Sequence, residues 1–454
     1  MKHKVLGLTR RRILTLAWPS VVEQILLMLI GVLNTMFVGH VGKDAMAAVG
    51  MVNTLMNFLQ VSFSGLAFGA TVVIARMYGE GDRDGAREAL KQALMLCIAI
   101  GVTMTILCFF LREQIIGLFF GGATEAVTQN MNQYFSIVLF GILFMVFDTV
   151  VSGAVRGAGD TKTPMQVTII ENVVNVVLGI CLIFGVNLFG KQIIPSFGLV
   201  GAGIAITAAR VISGSLRVLL LFVVDGRINL YIKDKFRLSR KLIHRILHVG
   251  LPSMLEQAIM QGGFLVVQMM LTSLGATATA AYVTGSNFNS IAYMTVFGIS
   301  IATTTLVGQS LGMRKYNEAK QYSRQTLLIG SVIGISIGLL MVVFATPCAR
   351  LYSQEPDVIH AGANIIRQFG FMTPFLVVMT VYSSVLKAAG EMKGVIISAI
   401  CGLWISRIFL GYVLMRYFHM GLNGLMIGIG MDFFARSVLY AIWIHRGKWL
   451  YKKV

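Results

Sequence analysis

The first apolar stretch of the sequence opens with Trp18-Pro19-Ser20-Val21-Val22-Glu23-Gln24, and residues 251–257 repeat this pattern as Leu-Pro-Ser-Met-Leu-Glu-Gln. A shift of 233 residues superimposes the two stretches, and the same shift continues without a gap for about another seventy residues. It pairs Gly42 with Gly275, Gly65 with Gly298 and Gly79 with Gly312. Two related halves that each place an acid in an apolar helix are typical of membrane transporters.

The composition indicates a membrane protein. The chain has 454 residues, of which 56% are hydrophobic and 13% charged, and its mean hydropathy is +0.78. A soluble domain carries about 25% charged residues, and an apolar run of about 20 residues is long enough to span a bilayer as a helix. Twelve such runs are found, at approximately 13–38, 47–75, 92–111, 132–155, 164–187, 198–224, 247–274, 280–309, 325–346, 362–386, 394–415 and 421–445.

These runs and the repeat together predict the fold. We expect an all-α polytopic membrane protein with twelve transmembrane helices in two pseudo-symmetric six-helix bundles. The predicted division is an N-lobe over 1–224, a basic cytoplasmic linker over 225–246 and a C-lobe over 247–454.

The distribution of charge predicts the orientation in the cell membrane. The net charge is +19, and 28 of the 38 Lys and Arg residues lie in the two terminal tails and the loops that share their side. The opposite loops hold six: Lys43, Arg112, Lys191, Arg350, Arg367 and Arg416. This asymmetry predicts that both termini are cytoplasmic. Because the basic residues are scattered over seven short segments, a nucleic-acid-binding face is excluded.

Nothing in the sequence indicates an enzyme or a metal site. There is no paired acid–base motif and no nucleophile elbow. The five cysteines have no metal-binding spacing: Cys97, Cys108, Cys181, Cys348 and Cys401.

Further motifs accompany the repeated openings in a fixed order along the chain. They are Phe37-Val38-Gly39-His40, Arg156-Gly157-Ala158-Gly159-Asp160, Asn172 with Asn175, Trp404 with Arg407, and the closing Arg446-Gly447-Lys448-Trp449. Together they resemble the multidrug and toxic compound extrusion (MATE) family over essentially the whole chain. The resemblance implies two bundles forming a V around a central cavity, and export of drugs or toxic organic compounds in exchange for inward H⁺ or Na⁺. We expect small, mainly cationic organic substrates, a monomer in the lipid bilayer, and no cofactor beyond the coupling ion.

The sequence departs from that family at the positions where the resemblance places coupling acids. These positions hold Asn34, Gly179, Met260 and, on or near the fourth, Met379. The usual cation sites therefore do not carry over to this chain. H⁺ and Na⁺ both remain open as the coupling ion, with H⁺ favoured.

Five acids lie well inside the apolar runs: Glu23, Asp148, Glu171, Glu256 and Asp432. A charge at the centre of a bilayer costs about 2.5–3.5 kcal/mol on insertion scales, so such residues normally face a partner or a water-filled cavity. We predict proton or cation coupling for Glu23, Asp148, Glu171 and Glu256. Helical rise places Glu23, Asp148 and Glu171 at similar depths, where they form one N-lobe cluster with Asn172 and Asn175. A structural role, tying each helix after its proline, is the alternative for Glu23 and Glu256.

The membrane-buried cations are expected to pair with these acids or to reach the surface. Asp432 and Arg436 are spaced i and i+4, and Arg407 lies at comparable depth, which predicts a C-lobe charge network. We expect Arg217 to snorkel towards the cytoplasm and the deeper Arg210 to face Asp148 or Glu171.

Amides in the middle of apolar helices predict a substrate cavity, because they need partners or water. The candidate cavity residues are Asn34, Asn53, Asn57, Gln60, Asn172, Asn175, Met260 and Asn287. The alternative function is a flippase for lipids or lipid-linked precursors, which several cavity-facing cations would favour.

Overall fold

The computed structural model describes residues 2–120, 122, 124–188, 191–223, 227–231, 237–352 and 355–452. The α-helices, in chain order, are α1 (Lys2–Gly39), α2 (Lys43–Glu80), α3 (Arg83–Phe110), α4 (Arg112–Phe120), α5 (Glu125–Leu139), α6 (Ile142–Gly157), α7 (Lys162–Phe184), α8 (Gly198–Val223), α9 (Arg240–Thr272), α10 (Ala276–Gly312), α11 (Tyr316–Val343), α12 (Ala345–Arg350), α13 (Pro356–Ala388), α14 (Met392–Ala399), α15 (Gly411–Arg416) and α16 (Gly421–His445). A π-helix, Ile400–Leu410, joins α14 to α15, and a 3₁₀-helix, Lys448–Tyr451, follows α16. Strands β1 (Val186–Leu188) and β2 (Lys191–Ile194) form a short antiparallel hairpin.

The helices confirm the predicted all-α membrane class. Among the described residues, eleven helices are long and apolar enough to cross a membrane, and one bent pair brings the number to twelve if it forms a single span. The segment from α14 through the π-helix to α15 counts as one of the eleven. Pro19 and Pro252 lie inside the continuous helices α1 and α9.

The fourth span differs from its predicted continuous form over 132–155. It consists of α5 and α6, which meet at an angle of 50°. A Cβ added at Gly141, between the two helices, would lie 3.2 Å from the Val138 carbonyl oxygen and 3.3 Å from Cδ of Arg210. Because glycine has no side chain, the Arg210 side chain from α8 packs directly against this break.

The chain forms two compact units. The N-unit comprises Ile25–Ile74 and Asp82–Gly250, and the C-unit comprises Met1–Gln24, Ala75–Gly81 and Leu251–Val454. The C-unit therefore includes the start of α1 and the end of α2, two segments that the sequence assigned to the N-lobe. The division by sequence into 1–224 and 247–454 remains a prediction about the two repeats.

Packing explains why the start of α1 belongs to the C-unit. Its apolar residues join one hydrophobic cluster with side chains of α10, among them Ile13, Ala17 and Leu306. The guanidinium of Arg12 donates to Oε1 of Gln309 at 3.4 Å. Burial of apolar surface and these polar contacts hold the first turns of α1 on this unit.

The end of α2 packs against the end of α10 through a reciprocal contact of the two repeats. A Cβ added at Gly79 would press on the backbone of Gln309, and one added at Gly312 would press on the backbone of Arg76. The shift of 233 residues converts each of these pairs into the other. Between these two pairs lie Ala75 and Gly308, which are themselves related by the shift of 233 residues. A Cβ on Gly308 would be 3.0 Å from Cβ of Ala75. The small residues thus allow the two backbones to approach closely around a local pseudo-two-fold axis. We call these residues the repeat contact.

Candidate functional site

Three helices of the N-unit bring their polar side chains together around Arg217. Arg217 of α8 is 3% exposed and forms an ion pair with Asp148 of α6. It also donates to the Ser152 hydroxyl of α6 and, at 2.8 Å, to the Thr168 hydroxyl of α7. One buried guanidinium therefore links α6, α7 and α8, and its charge is compensated by Asp148.

Glu171 lies beside this ion pair and has a different environment. Its side chain is buried, and it interacts electrostatically with Asp148, Arg217 and Arg210. The Ser213 hydroxyl is its hydrogen-bonding neighbour, while its Oε2 atom is buried without a hydrogen-bond partner. Within the part of the chain that the structure describes, Glu171 forms no salt bridge. It is thus the membrane-buried carboxyl of the N-unit that lacks a directly bonded cation.

Buried amides extend the cluster along α7. Asn172 donates from Nδ2 to the Thr168 carbonyl at 2.9 Å, which leaves its Oδ1 without a partner. Asn175 is 1% exposed, and neither its Oδ1 nor its Nδ2 has a hydrogen-bond partner. Unsatisfied amides at such depth are costly unless a water, an ion or a substrate bonds to them. The cluster is therefore suited to binding a small polar species.

Arg210 closes the cluster on the side of the bent fourth span. It interacts electrostatically with Tyr134 of α5 and with Glu171 and Asp148, and its Nη1 atom is buried without a partner. The N-unit cluster, defined as Asp148, Glu171, Asn172, Asn175, Arg210 and Arg217, holds two acids and two arginines. Its charges balance when both acids are ionised, so protonation of either leaves a net positive charge.

One expectation about this cluster needs correction. Arg217 does not snorkel to the surface, because its guanidinium is bonded to Asp148 and to two hydroxyl groups. Glu23 is 1% exposed and belongs to the segment of α1 that is part of the C-unit. Its place beside Asp148 and Glu171 stays a prediction.

The acid at the equivalent position of the second repeat is ion-paired. Glu256 of α9 is bonded to Nζ of Lys387 at 2.6 Å. Lys387 lies in the last turn of α13, so this pair joins the middle of one helix to the end of another. The positions that correspond to this pair in the first repeat are Glu23 and Arg156.

Asp432 forms the centre of a charge network in the C-unit. It is 0% exposed and accepts from Nη2 of Arg407 at 2.7 Å, and from Nε and Nη2 of Arg436 at 2.5 and 2.6 Å. The Arg407 guanidinium also lies 5.3 Å from each of the Phe264 and Phe433 ring centroids. The structure thus brings together the three residues that the sequence proposed as a C-lobe network.

The other predicted cavity residues differ in exposure. Met260 is placed against the charge network, with its Sδ 3.6 Å from Nη1 of Arg436. Asn34 is 5% exposed, and its Nδ2 has no hydrogen-bond partner. Asn57 is exposed, whereas the three others are half-buried, namely Asn53, Gln60 and Asn287. A substrate role for all of them remains a prediction.

Sequence reasoning missed the hydroxyl groups and the lysine that complete the two sites. Ser152 follows Asp148 by one helical turn, and this spacing alone was a usable signal. Thr168 and Lys387 gave no comparable signal, because their partners lie on other helices.

Comparison with known proteins shows which family the sequence matches and which solved structures share its fold. The family model described as MatE matches residues 19–181 and 252–413, one segment in each repeat. A relative from Thermotoga maritima, "Probable multidrug resistance protein NorM", is 30% identical over 447 residues, which cover 97% of this chain and 93% of the relative. The "Uncharacterized transporter YisQ" of Bacillus subtilis is 26% identical over 445 residues, with 95% of each chain covered.

Solved structures share the fold over almost the full length. One is described as "Outward-facing conformation of a multidrug resistance MATE family transporter of the MOP superfamily"; its TM-score is 0.88 at 23% identity, and 97% of this chain and 96% of that chain are covered. Another is a MOP superfamily transporter from Pyrococcus furiosus, with a TM-score of 0.87 at 24% identity and coverage of 98% and 97%.

Proposed function

The chain belongs to the MatE family of multidrug transporters, and from this premise we propose that it exports small organic compounds by antiport with H⁺. The observation that carries the choice of coupling ion is the environment of Glu171. Glu171 is buried and forms no salt bridge among the described residues, and a buried carboxyl group without a bonded cation can bind and release a proton. The other acids of the two sites are each ion-paired, namely Asp148, Glu256 and Asp432. Glu171 is therefore the proposed coupling residue.

Asp148 is the second acid of the proposed coupling site. It interacts electrostatically with Glu171 and forms an ion pair with Arg217. Two interacting acids of unlike environment release protons as a coupled pair rather than independently. In the proposed cycle one proton is held by this pair, with Glu171 as its main site.

In this proposal Glu23 and Glu256 have a structural role and do not bind the coupling proton. Glu256 is ion-paired with Lys387, so it already has a bonded cation, unlike Glu171. We propose that the Glu256–Lys387 pair holds α9 against the end of α13. Glu23, at the equivalent repeat position, is assigned the same structural task.

The repeat contact supports alternating access as the transport cycle. Alternating access requires that packed elements of two repeats separate and rejoin around a site between them. The backbones of α2 and α10 approach closely at Gly79, Gly308 and Gly312, which carry no side chains, and in the proposed cycle the two helices part at this point. Protonation of Glu171 would bias the equilibrium between the closed and open forms of this contact.

Organic cations are the proposed substrates. An ionised Glu171 and the free amide oxygens of Asn172 and Asn175 offer negative and polar groups to a positively charged ligand. Proton and substrate would then compete for the same carboxylate, which is the simplest physical basis for their exchange. The match to a multidrug transporter family does not favour the lipid flippase alternative.

The experiment that tests this function is transport by the purified chain in proteoliposomes. Uptake of the cationic dye ethidium is measured under a pH gradient alone and under a Na⁺ gradient alone, and an anionic dye serves as the substrate control. The proposal expects ethidium uptake under the pH gradient only, with no uptake of the anionic dye. Uptake driven by the Na⁺ gradient alone would refute H⁺ coupling, and preference for the anionic dye would refute the substrate class.

A further inference from the structure

A cavity opens beside the N-unit cluster, where α6 and α8 end and α7 begins. Its volume is about 50 Å³, and both polar and apolar residues line it, among them Val155, Asp160, Thr163, Arg217, Leu221 and Arg227. Arg227 is exposed at its mouth, whereas the 3% exposed Arg217 marks its inner end. The α8 residues that line the cavity run from Arg217 to Leu221, so it extends about 6 Å along the helix axis.

The three helices around this cavity each present one stripe that runs from its mouth to the buried cluster. On α6 the stripe consists of Val155, Ser152 and Asp148, which are spaced so that they share one helical face. The corresponding stripes are Pro164, Thr168 and Glu171 on α7, and Leu221, Arg217, Ser213 and Arg210 on α8. The cavity and the cluster therefore lie along the same helix faces, whose residues become polar towards the cluster, and Arg217 lies where the two meet.

We infer that this cavity is the passage by which the coupling proton leaves Glu171 and Asp148 for the side predicted to be cytoplasmic; the inference rests on the proposed function. Arg217 is the positioning residue at the inner end of the passage. Its guanidinium contacts Asp148, Ser152 and Thr168, and it also lines the cavity.

The groups along the passage can support each part of this transfer. The proton moves from a carboxyl group to a water molecule in the cavity, which leaves a carboxylate that Arg217 stabilises. Water needs two to four polar partners to occupy a cavity, and the Ser152 and Thr163 hydroxyls with the Asp160 carboxylate provide them along the path. The other charged or titratable groups that face the two acids are Arg210 and Tyr134, on the side away from the cavity.

Asp160, in the turn that precedes α7, keeps the mouth of the passage polar. Asp160 accepts from the backbone nitrogens of Lys162 and Thr163 at 3.0 and 3.1 Å, and its other oxygen accepts from the Thr163 hydroxyl at 2.6 Å. This carboxylate is thereby fixed at the start of a helix, where the helix dipole favours negative charge. A fixed carboxylate at the mouth can accept hydrogen bonds from water in the cavity.

Water access to the cavity is tested first, by cysteine labelling. In a background whose five cysteines are replaced by alanine, Val155→Cys and Leu220→Cys place thiols on the cavity wall. Leu219→Cys is the matched control, because Leu219 is the neighbouring residue on α8, does not line the cavity and is 57% exposed to the surroundings. A membrane-impermeant, charged methanethiosulfonate reagent should modify the two wall thiols from the predicted cytoplasmic side and not the control. Equal labelling of all three, or of the control alone, would overturn the inference.

Proton release is tested second, with the same protein. Ethidium is mixed with detergent-solubilised Val155→Cys protein, and a pH-indicator dye records the protons released before and after modification by the charged reagent. We expect modification to slow release by about tenfold or more, with the total amount unchanged, because the route is obstructed and the acids are intact. Release at the unmodified rate from both modified wall variants would overturn the passage. If the unmodified protein releases no proton on ethidium addition, the proposed function fails instead.

Discussion

A disulfide across the repeat contact should stop transport completely and reversibly. The perturbation is the double substitution Ala75→Cys with Gly308→Cys, in a background without the native cysteines. A Cβ on Gly308 would lie 3.0 Å from that of Ala75, and the Cβ atoms of a disulfide are about 3.5–4.5 Å apart. The two helices therefore need to move apart by only about 1 Å for the bond to form. The covalent bond then prevents any larger separation of α2 from α10.

The assay is ethidium uptake into proteoliposomes under a pH gradient, with thiol titration to measure cross-linking. Oxidation should remove both thiols and reduce uptake to the level of protein-free vesicles, and reduction should restore both. The single variants Ala75→Cys and Gly308→Cys control for oxidation and for the added side chains, and neither should respond to the oxidant. If uptake persists while both thiols of the double variant are consumed, the repeat contact does not open during transport and our reasoning about alternating access is refuted.

Three further outcomes follow from the contacts described above. Asp432→Asn should lower the free energy of unfolding by about 3–5 kcal/mol, because two arginines lose their buried counter-charge; an unchanged thermal midpoint in detergent would contradict this. Lys387→Met should also lower the midpoint, and the additional change Glu256→Gln should restore most of the loss, whereas additive losses in the double variant would show that the two residues are not coupled. Gly79→Ala should favour the open form of the repeat contact, since its Cβ would press on the α10 backbone. In the Ala75→Cys protein, labelling of the thiol should therefore become faster. The control is Gly117→Ala, whose added Cβ has free space around it, and it should leave the labelling rate unchanged.

The fold was predictable because it depends on properties that a sequence displays directly. Apolar runs of sufficient length became membrane-spanning helices, and the MATE resemblance was confirmed by the family match. The bend between α5 and α6 was not predictable, since it involves the packing of Arg210 against Gly141. Nothing near Gly141 in the sequence distinguishes it from glycines inside continuous helices.

The buried acids of the site could be predicted from the sequence, whereas the cations that pair with them could be predicted only in part. Hydropathy alone located Asp148, Glu171 and Asp432, because a charge within an apolar run is conspicuous. The partner of Asp148 is Arg217, which lies on a helix two spans further along the chain. Helical spacing relates residues within one helix, so it found Arg436 for Asp432 and could not find Arg217 for Asp148. Similar depth in the membrane was a better guide to this pair. The expectation that Arg217 reaches the surface kept us from considering it as the partner of Asp148.

The same limitation applies to the start of α1. Its position in the first repeat suggested that it packs with the N-lobe. The early turns of α1 instead pack on α10 through Ile13 and Ala17, and a contact between distant segments of this kind leaves no periodic signal in the sequence.

The central claim is that Glu171 couples the proton to the substrate, and the variant Glu171→Gln separates coupling from substrate passage. Two rates are measured in proteoliposomes: uptake of ethidium against its gradient under an imposed pH gradient, and exchange of labelled for unlabelled ethidium without one. Glu113→Gln, which alters an acid whose side chain is 74% exposed, is the control and should match the unmodified protein in both. The account predicts that Glu171→Gln loses uptake driven by the pH gradient, and that its exchange is weaker than that of the unmodified protein, because the carboxylate is missing, and no longer depends on pH. Uptake against the gradient at the unmodified rate by Glu171→Gln would contradict it.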